Sequence, residues 1–357
     1  MAYTQQEIEF IRQHSLDMDK NRRFPKAVLD FIYDRRLFHL FVPNQLDGRM
    51  TELPEAARQF QACSRIDGNL GWAVTIGAGG GFFAALLEHD VSQQIFARRE
   101  AVIAGSGMPT GTAKRVEGGY IVSGSWKYCS GSSYATTFTA NAVIEAAETS
   151  TESDCTVSAS VEKEIRAFAF HPEQIRIRPD WNAFGLRATA SHTIAADEVF
   201  VPEHRTFMFD KTMGFENEPI YRYPFLPFAQ VSFAAVAIGI AEHFLEAAEA
   251  LAVERGGGTY VMDKLKKHSD YLRDFTTTFY KSVEASWREL LLQGGISAST
   301  EAEITAASIG AAKTALTCGQ ALFPLLGLAA AMEDSEVNRC WRDLQTACSH
   351  SLLRSYS

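Results

Sequence analysis

The spacing of hydrophobic positions changes twice along the chain and divides it into three segments. Residues 1–98 carry apolar side chains three and four positions apart, which is the period of amphipathic helices. Residues 99–208 consist of short runs of β-branched and aromatic residues separated by glycine, aspartate and serine, a pattern typical of β-strands. Residues 209–357 return to the helical period. The pattern predicts a helical domain, a β domain and a second helical domain with these boundaries.

Helix-capping signals support the helical prediction for the first segment. Thr4 and Glu7 have the spacing of a capping box, and Asp67 is suited to cap a later helix. The glycine run at residues 77–81 has the composition of a phosphate-binding loop, but Phe82 occupies the place of the third glycine and no βαβ pattern surrounds it. We therefore interpret these glycines as positions where another helix or a ligand approaches closely.

The many short strands of the middle segment, with no helices between them, predict an antiparallel barrel or sandwich. The polar, acidic stretch at residues 146–154 is predicted to be an exposed loop. Residues 118–131 (GGYIVSGSWKYCSG) predict a β-hairpin with strands at residues 120–122 and 126–129 and a break at residues 123–124.

The second half of this hairpin places aromatic side chains beside a small hydroxyl and a glycine. Such a set can hold a planar heteroaromatic ring, because the aromatic rings pack on it, the serine hydrogen-bonds to it and the glycine lets the backbone come close. Taken alone, the stretch is more simply interpreted as an aromatic-rich core strand.

The last segment predicts a four-helix bundle. Its first helix has an apolar stripe and a separate stripe of glutamates at positions 242, 246 and 249. Three more helices are predicted over roughly residues 263–292, 300–326 and 335–353, with Thr300 and Glu303 as a capping box for the second of them. Long helices joined by short connections are typical of such bundles.

Composition and charge exclude several function classes. The net charge is −9, and the lysines and arginines are scattered apart from a short cluster at residues 264–267, so we expect neither a nucleic-acid nor an anionic-membrane partner. The six cysteines show no CxxC pair or ligand-like spacing, which argues against a disulfide scaffold or a metal site and favours a reducing, cytoplasmic compartment. The N-terminus has no signal-peptide pattern, and the long apolar runs are interrupted by charged residues or proline, so we expect buried helices and no membrane span.

The order of the three segments resembles the acyl-CoA dehydrogenase superfamily of flavoproteins. The stretches that carry the resemblance lie along nearly the whole chain: residues 24–43, 67–72 (DGNLGW), 109–113 (PTGTA), 118–120, 180–181 (DW), 185–191 (GLRATAS) and 200–202 (FVP). Asn69, Ala188 and Ala190 depart from the residues usual at these positions. The resemblance implies an α+β multidomain protein with the acyl-CoA dehydrogenase fold, assembled as a homotetramer.

Two motifs resemble one branch, the oxygenase component of two-component flavin-dependent monooxygenases. Residues 124–131 (GSWKYCSG) resemble its G-x-W-x-[FY]-x-S-G pattern, and residues 339–343 (RCWRD) followed by His350 resemble its R-x-W-R-D…H pattern. The resemblance implies bound FAD or FMN, taken up as reduced flavin, with Ser130 near flavin N5 and His350 as the catalytic acid or base titrating near neutrality. The residues expected to bind the flavin are Trp126, Tyr128, Ser130, Gly131, Thr189 and Ser191.

Other roles for these residues remain open. Trp126 fits packing better than stacking on a flavin. Thr189 and Ser191 fit turn capping equally well, and His350 also fits a helix end, where it would interact with the helix dipole. Arg339, Arg342 and Asp343 are interpreted as a structural ion-pair network.

Together these features favour a hydroxylase that uses reduced flavin to act on an aromatic or similar small organic substrate. A separate flavin reductase is implied, because nothing resembles a nicotinamide site. The first alternative is an FAD-containing acyl-CoA dehydrogenase. The family motif places its catalytic base seven residues before an arginine, which corresponds to Met332 when counted from Arg339, and the candidate base Glu333 is one position away. The second alternative is a non-catalytic flavin- or ligand-binding member.

Overall fold

The computed structural model of the chain describes residues 3–146, 164–209, 211–215, 217–256 and 258–354. Apart from Ala146, the loop predicted at residues 146–154 lies outside them. The described residues form two compact units. A helical unit combines those within Met1–Phe82, Asn182–Thr189 and Glu216–Ser357, whereas a β unit combines those within Phe83–Trp181 and Ala190–Phe215. The first and third predicted domains thus contribute to the same unit.

The N-terminal helices begin where the capping signals indicate. Thr4 and Glu7 form the predicted capping box, and the Asp67 carboxylate accepts a hydrogen bond from the Leu70 amide at 3.1 Å. The helices are α1 (Gln5–Asn21), α2 (Lys26–Asp34), α3 (Leu53–Ile66), α4 (Gly68–Gly79) and, in the β unit, α5 (His89–Phe96).

The run of small residues in and after α4 packs closely, as predicted. A Cβ atom on Gly77 would lie 2.3 Å from the ring of Phe38, and one on Gly81 would lie 3.0 Å from the backbone carbonyl carbon of Phe41. Larger side chains at these two glycines would displace their neighbours. Close packing within the helical unit is therefore what they provide.

Seven strands form a single sheet in the β unit. They are β1 (Ile103–Val116), β2 (Gly119–Cys129), β3 (Thr137–Ile144), β4 (Ile165–Phe170), β5 (Arg176–Arg178), β6 (His192–Pro202) and β7 (Thr206–Phe207). Their spatial order is β5-β6-β2-β1-β3-β4-β7. The expectation of purely antiparallel pairing needs correction, because β1 and β3 are parallel. The hydrophobic pattern identified strands but carried no information about which strands would be neighbours.

The β-hairpin predicted within residues 118–131 is instead formed by β1 and β2. Residues 119–129 form one strand, and the turn is at Gly118, with a φ of 77°, between β1 and β2. Ser123 and Gly124 mark a bulge against β6, where the Ser123 hydroxyl accepts a hydrogen bond from the Glu198 amide at 2.9 Å. A bulge therefore produces the break that the sequence pattern suggested.

The C-terminal helices form the predicted bundle. They are α6 (Phe225–Glu254), α7 (Thr259–Gln293), α8 (Ala298–Leu322), the short α9 (Leu328–Ala331) and α10 (Glu336–Ala347). The cap of α8 is Ser297 and not Thr300, since the Ser297 hydroxyl accepts a hydrogen bond from the Thr300 amide at 3.3 Å. The last predicted helix ends early, at Ala347, and a single 3₁₀ turn follows at Ser351–Leu353.

The first bundle helix, α6, is long and apolar enough to resemble a membrane span. However, 83% of its most apolar 18-residue window is buried within the protein. The glutamates of its polar stripe contact the N-terminal helices. Glu246 pairs with Arg12 and Arg65, and Glu242 accepts a hydrogen bond from Gln61 at 2.8 Å. These contacts and the burial place α6 in the core of the helical unit.

A glycine-to-alanine substitution at position 124 tests the packing of the β unit. An added Cβ would lie 2.6 Å from the ring of Trp126 and 2.7 Å from the Cα of Gly111. We expect Gly124→Ala to destabilise the protein by about 1–3 kcal/mol, measured by urea denaturation. Gly107→Ala on β1 is the control, because nothing lies within 4 Å of its added Cβ. Equal stability of the two variants would contradict this packing.

Candidate active site

An exposed aromatic ring stands near the end of β2. Tyr128 has a φ of 65° at an irregularity in the pairing with β6, and 70% of its surface is exposed. A non-glycine residue in this left-handed region is strained, and such strain is concentrated at functional sites. The Trp181 ring lies edge-on to the Tyr128 ring at a centroid distance of 6.3 Å. The two aromatic residues predicted from separate motifs are therefore neighbours.

Two serine hydroxyls, one from the segment after β2 and one from the segment before β6, contact each other. The Oγ atoms of Ser130 and Ser191 are 2.7 Å apart, and the two residues are 6% and 4% exposed. Gly131 follows with a φ of 84°, and a Cβ there would lie 3.2 Å from the Tyr134 ring. Ala190 also has a left-handed backbone, with a φ of 47°, which explains why glycine is usual at this position in the motif.

The Asp180-Trp181 pair is anchored to the start of β6. The Asp180 carboxylate accepts hydrogen bonds from the Thr193 amide at 2.8 Å and from the Thr193 hydroxyl at 2.6 Å, and these bonds lower the pKa of Asp180. The Trp181 amide donates to Nδ1 of His192 at 3.0 Å. His192 therefore has a structural role at the start of β6, and the histidine-threonine pair there is the only sequence signal for it.

Trp126 is corrected from a flavin-binding residue to a core residue. It is 0% exposed and belongs to the hydrophobic core of the β unit, and its indole N–H donates to the Asn141 carbonyl oxygen at 2.8 Å. It has no exposed surface for a flavin. The motif keeps this tryptophan on the inner face of β2 and turns Tyr128 outward through the irregular backbone.

The predicted site residue Thr189 lies in the helical unit. Its hydroxyl donates to the Leu186 carbonyl oxygen at 2.9 Å, and the residue is fully buried, so a part in flavin binding would be indirect. Two side chains hold this segment by its backbone. Asp343 accepts from the Leu186 amide at 2.5 Å, and Asn69 accepts from the Ala188 amide at 2.9 Å.

Asp343 is not part of the expected ion-pair network. Its burial, with the nearby charge of Asp67, raises its pKa to about 8, although the Leu186 amide acts in the opposite direction. The carboxyl group is therefore mostly neutral at pH 7. Arg342 instead makes two hydrogen bonds with Asp19 of α1, at 3.0 and 2.9 Å.

His350 begins the 3₁₀ turn near the end of the described chain. Its ring centroid lies 4.5 Å from that of Phe233 and 5.9 Å from that of Trp72, and the latter two rings are stacked on each other. Burial lowers the pKa of His350 to about 4, so the imidazole is neutral at pH 7. The expected titration near neutrality is corrected accordingly, since apolar surroundings disfavour the cation.

Glu333, the base of the alternative dehydrogenase interpretation, is exposed in the turn before α10. No group of histidine, cysteine and acidic side chains suited to a metal ion occurs among the described residues. The predicted residues are thus divided between the two units. Tyr128, Ser130, Gly131 and Ser191 lie in the β unit, whereas Thr189 and His350 lie in the helical unit.

Comparisons with known proteins agree with this architecture. Residues 231–355 match the family model described as "Acyl-CoA dehydrogenase, C-terminal domain". The crystal structure of XiaF from Streptomyces sp. in complex with FADH2 and glycerol superposes with a TM-score of 0.82 at 21% sequence identity, covering 97% of this chain and 89% of XiaF. The chain has the acyl-CoA dehydrogenase fold.

Two curated relatives extend the similarity to the sequence. The indole-3-acetate monooxygenase of Pseudomonas putida is 25% identical over 347 residues, 94% of this chain and 86% of the relative. The oxygenase subunit HsaA of a flavin-dependent monooxygenase from Rhodococcus jostii is 23% identical over 361 residues, 96% of this chain and 91% of the relative. The predicted resemblance to the acyl-CoA dehydrogenase superfamily, and to oxygenase components within it, is confirmed.

The neutral carboxyl of Asp343 predicts a specific pH dependence of stability. Its folded-state pKa is about 8, whereas an unfolded aspartate titrates near 4, so its contribution is fully present below pH 4 and is lost as the pH rises to about 8. We therefore expect the stability of Asp343→Asn, relative to wild type, to increase over this window, by at most about 1.4 kcal/mol per pH unit.

Urea denaturation at pH 4.5, 6, 7.5 and 9 measures this difference. The exposed Asp334 supplies the control, since Asp334→Asn replaces a surface side chain and should change stability by no more than about 0.5 kcal/mol. A pH-independent difference between Asp343→Asn and wild type would show that the buried carboxyl is ionised in the folded protein.

Proposed function

We propose that the chain is the oxygenase component of a two-component flavin-dependent monooxygenase that hydroxylates an aromatic or similar small organic substrate. One atom of O₂ enters the substrate as a hydroxyl group, and the other becomes water with the two electrons of a reduced flavin. Both relatives are monooxygenases and the HsaA relative is flavin-dependent by name, which confirms the prediction of a flavin-dependent oxidoreductase. One observation favours the hydroxylase over the dehydrogenase. His350, the residue expected to act in a hydroxylase, packs on two aromatic rings, whereas Glu333, the residue expected to act in a dehydrogenase, is exposed.

The residues of the β unit fit a flavin. Tyr128 offers an exposed aromatic face, Ser130 and Ser191 offer hydroxyls within hydrogen-bond distance of each other, and Gly131 keeps the adjacent backbone free of a side chain. Hydroxyls suit the nitrogen and carbonyl atoms at the edge of an isoalloxazine ring. When bound, the reduced flavin supplies the electrons and activates oxygen. With a flavin bound, Ser130 would hold the proton at N5 through its hydroxyl.

In the helical unit, His350 supplies a polar group in aromatic surroundings. The Leu352 amide donates to its Nδ1 at 3.3 Å, so the neutral ring carries its proton on Nε2. This N–H can donate to a substrate hydroxyl oxygen and position the ring to be hydroxylated. Trp72 and Phe233 pack around the imidazole and keep water away from it.

Further features of the proposal follow from the relatives and the sequence. A separate flavin reductase delivers the reduced flavin, in keeping with the name "oxygenase subunit" of the HsaA relative. The FADH2 bound to XiaF supports FAD, and FMN is the second candidate. We also propose a homotetramer in the cytoplasm. The dehydrogenase alternative is disfavoured, because an exposed glutamate is poorly placed to abstract a proton in a desolvated site.

Removing the Ser130 hydroxyl tests the flavin contact. We expect Ser130→Ala to weaken the binding of reduced flavin about tenfold, the value of one hydrogen bond. Anaerobic titration of the full chain with photoreduced FAD and FMN measures this and identifies the preferred flavin. Ser125→Ala, which removes an exposed hydroxyl from β2 five residues earlier, is the matched control. Unchanged affinity in Ser130→Ala would remove Ser130 from the flavin site.

Replacing His350 tests the catalytic assignment. We expect His350→Gln to lower the rate of product formation by about 10²–10⁴-fold while leaving reduced-flavin affinity within about twofold of wild type. Because the pKa of His350 is about 4, its protonation should cause no step in wild-type activity between pH 5.5 and 7.5. Hydroxylated product and hydrogen peroxide per flavin oxidised are measured with a panel of phenols and indoles.

The exposed glutamate supplies the comparison variant. Glu333→Gln should hydroxylate as wild type does, and the protein should not reduce bound oxidised FAD when acyl-CoA is added. Full hydroxylation by His350→Gln, or loss of activity in Glu333→Gln alone, would contradict the assignment.

A further inference from the structure

A buried amide lies close to the turn that carries His350. Gln230 is on α6, is 5% exposed, and makes two side-chain hydrogen bonds. Its Oε1 accepts from the Thr305 hydroxyl of α8 at 2.8 Å, and its Nε2 donates to the Leu352 carbonyl oxygen at 3.2 Å. Since a carbonyl oxygen can only accept, Nε2 must face Leu352, and the orientation of the amide is fixed by chemistry.

The same residue, Leu352, contacts the histidine through its other backbone group. Its N–H donates to Nδ1 of His350 at 3.3 Å. A chain of hydrogen bonds therefore runs from Thr305 through Gln230 and the backbone of Leu352 to the imidazole. It connects two bundle helices to a 3₁₀ turn of only three residues, Ser351–Leu353.

This connection determines where the imidazole carries its proton. A backbone N–H cannot accept a hydrogen bond, so Nδ1 must present its lone pair to Leu352 and the proton must reside on Nε2. Moving the proton to Nδ1 would set two N–H groups against each other. The tautomer persists only while the turn keeps the Leu352 N–H in place.

The turn needs an anchor of this kind. A single 3₁₀ turn of three residues has few hydrogen bonds of its own, so contacts from neighbouring elements hold it in place. A buried glutamine is costly unless its amide is hydrogen-bonded, and Gln230 lies in α6 between the apolar residues Ala229 and Val231. Its two bonds satisfy the amide and fix the turn together.

We propose that Gln230 and Thr305 are positioning residues that set the tautomer and orientation of His350. Gln230 holds the turn through the Leu352 carbonyl, and Thr305 orients the Gln230 amide. The inference rests on the proposed function for its catalytic meaning, but the tautomer itself is observable without turnover. Neither residue belongs to the motifs that carry the family resemblance.

Nitrogen NMR of the full chain labelled with ¹⁵N in its histidine rings tests the proposal. The His350 signals are identified by their loss in His350→Gln. In wild type we expect one tautomer, with Nδ1 unprotonated and Nε2 protonated. In Gln230→Met, which removes both hydrogen bonds, we expect a mixture of tautomers and a roughly tenfold lower rate of hydroxylation at unchanged reduced-flavin affinity.

Substitutions on α8 provide a milder variant and its controls. Thr305→Val removes the orienting hydroxyl but leaves the Gln230 amide, so it tests the proposal even where Gln230→Met folds poorly; a smaller shift in the same direction is expected. Thr305→Ser restores the hydroxyl and should restore the wild-type tautomer. Thr314→Val, whose hydroxyl donates within its own helix to the Gly310 carbonyl oxygen at 2.9 Å, should leave the His350 signals unchanged.

The outcomes separate this inference from the proposed function. A single, unchanged tautomer in both Gln230→Met and Thr305→Val would overturn the inference, whatever the activity. A changed tautomer in these variants supports it. If the tautomer changes while His350→Gln still hydroxylates, the positioning role stands and the catalytic role of His350 falls.

Discussion

The hydrogen bond from the Leu186 amide to the buried Asp343 carboxyl fixes the backbone of residues 182–189, the part of the GLRATAS motif region that lies in the helical unit. Residues 182–189 have no helix or strand of their own, and their backbone groups need partners when buried. Asp343 and Asn69 provide them, and Gly185 allows the segment to approach α10 so closely that a Cβ there would lie 2.1 Å from the Arg342 carbonyl oxygen. A neutral carboxyl suits this position, because burying an unpaired charge would cost more free energy than the hydrogen bond from the Leu186 amide contributes.

In the β unit, the strand β2 exposes an aromatic side chain on one face while its other face packs in the hydrophobic core. Regular alternation would place Trp126 and Tyr128 on the same face of β2. The irregular pairing after Trp126 and the left-handed backbone of Tyr128 separate them, with one ring fully buried and the other largely exposed. The same local change places Ser130 against Ser191.

Much of this could be predicted from the sequence because it depends on local signals. The capping box at Thr4, the cap at Asp67 and the order of helices and strands follow from residue spacing and periodicity. The packing role considered for Trp126 also has a local basis, in the strand pattern around it. The parallel pairing of β1 with β3 and the lowered pKa of His350 could not be predicted, because each depends on neighbours distant in sequence. Gln230 illustrates the limit well: within an apolar helix it has no signal, and its role emerges only when α8 and the turn at Ser351–Leu353 are seen beside it.

The backbone of Tyr128 also bears on how this protein can be evolved in the laboratory. Its left-handed conformation costs about 1–3 kcal/mol, a strain that glycine would relieve at once. A selection for heat resistance alone would therefore reward the loss of the exposed ring that the proposed cofactor site uses. Libraries built on this scaffold need a screen for turnover alongside any thermal challenge, since the two pressures act in opposite directions at this one residue.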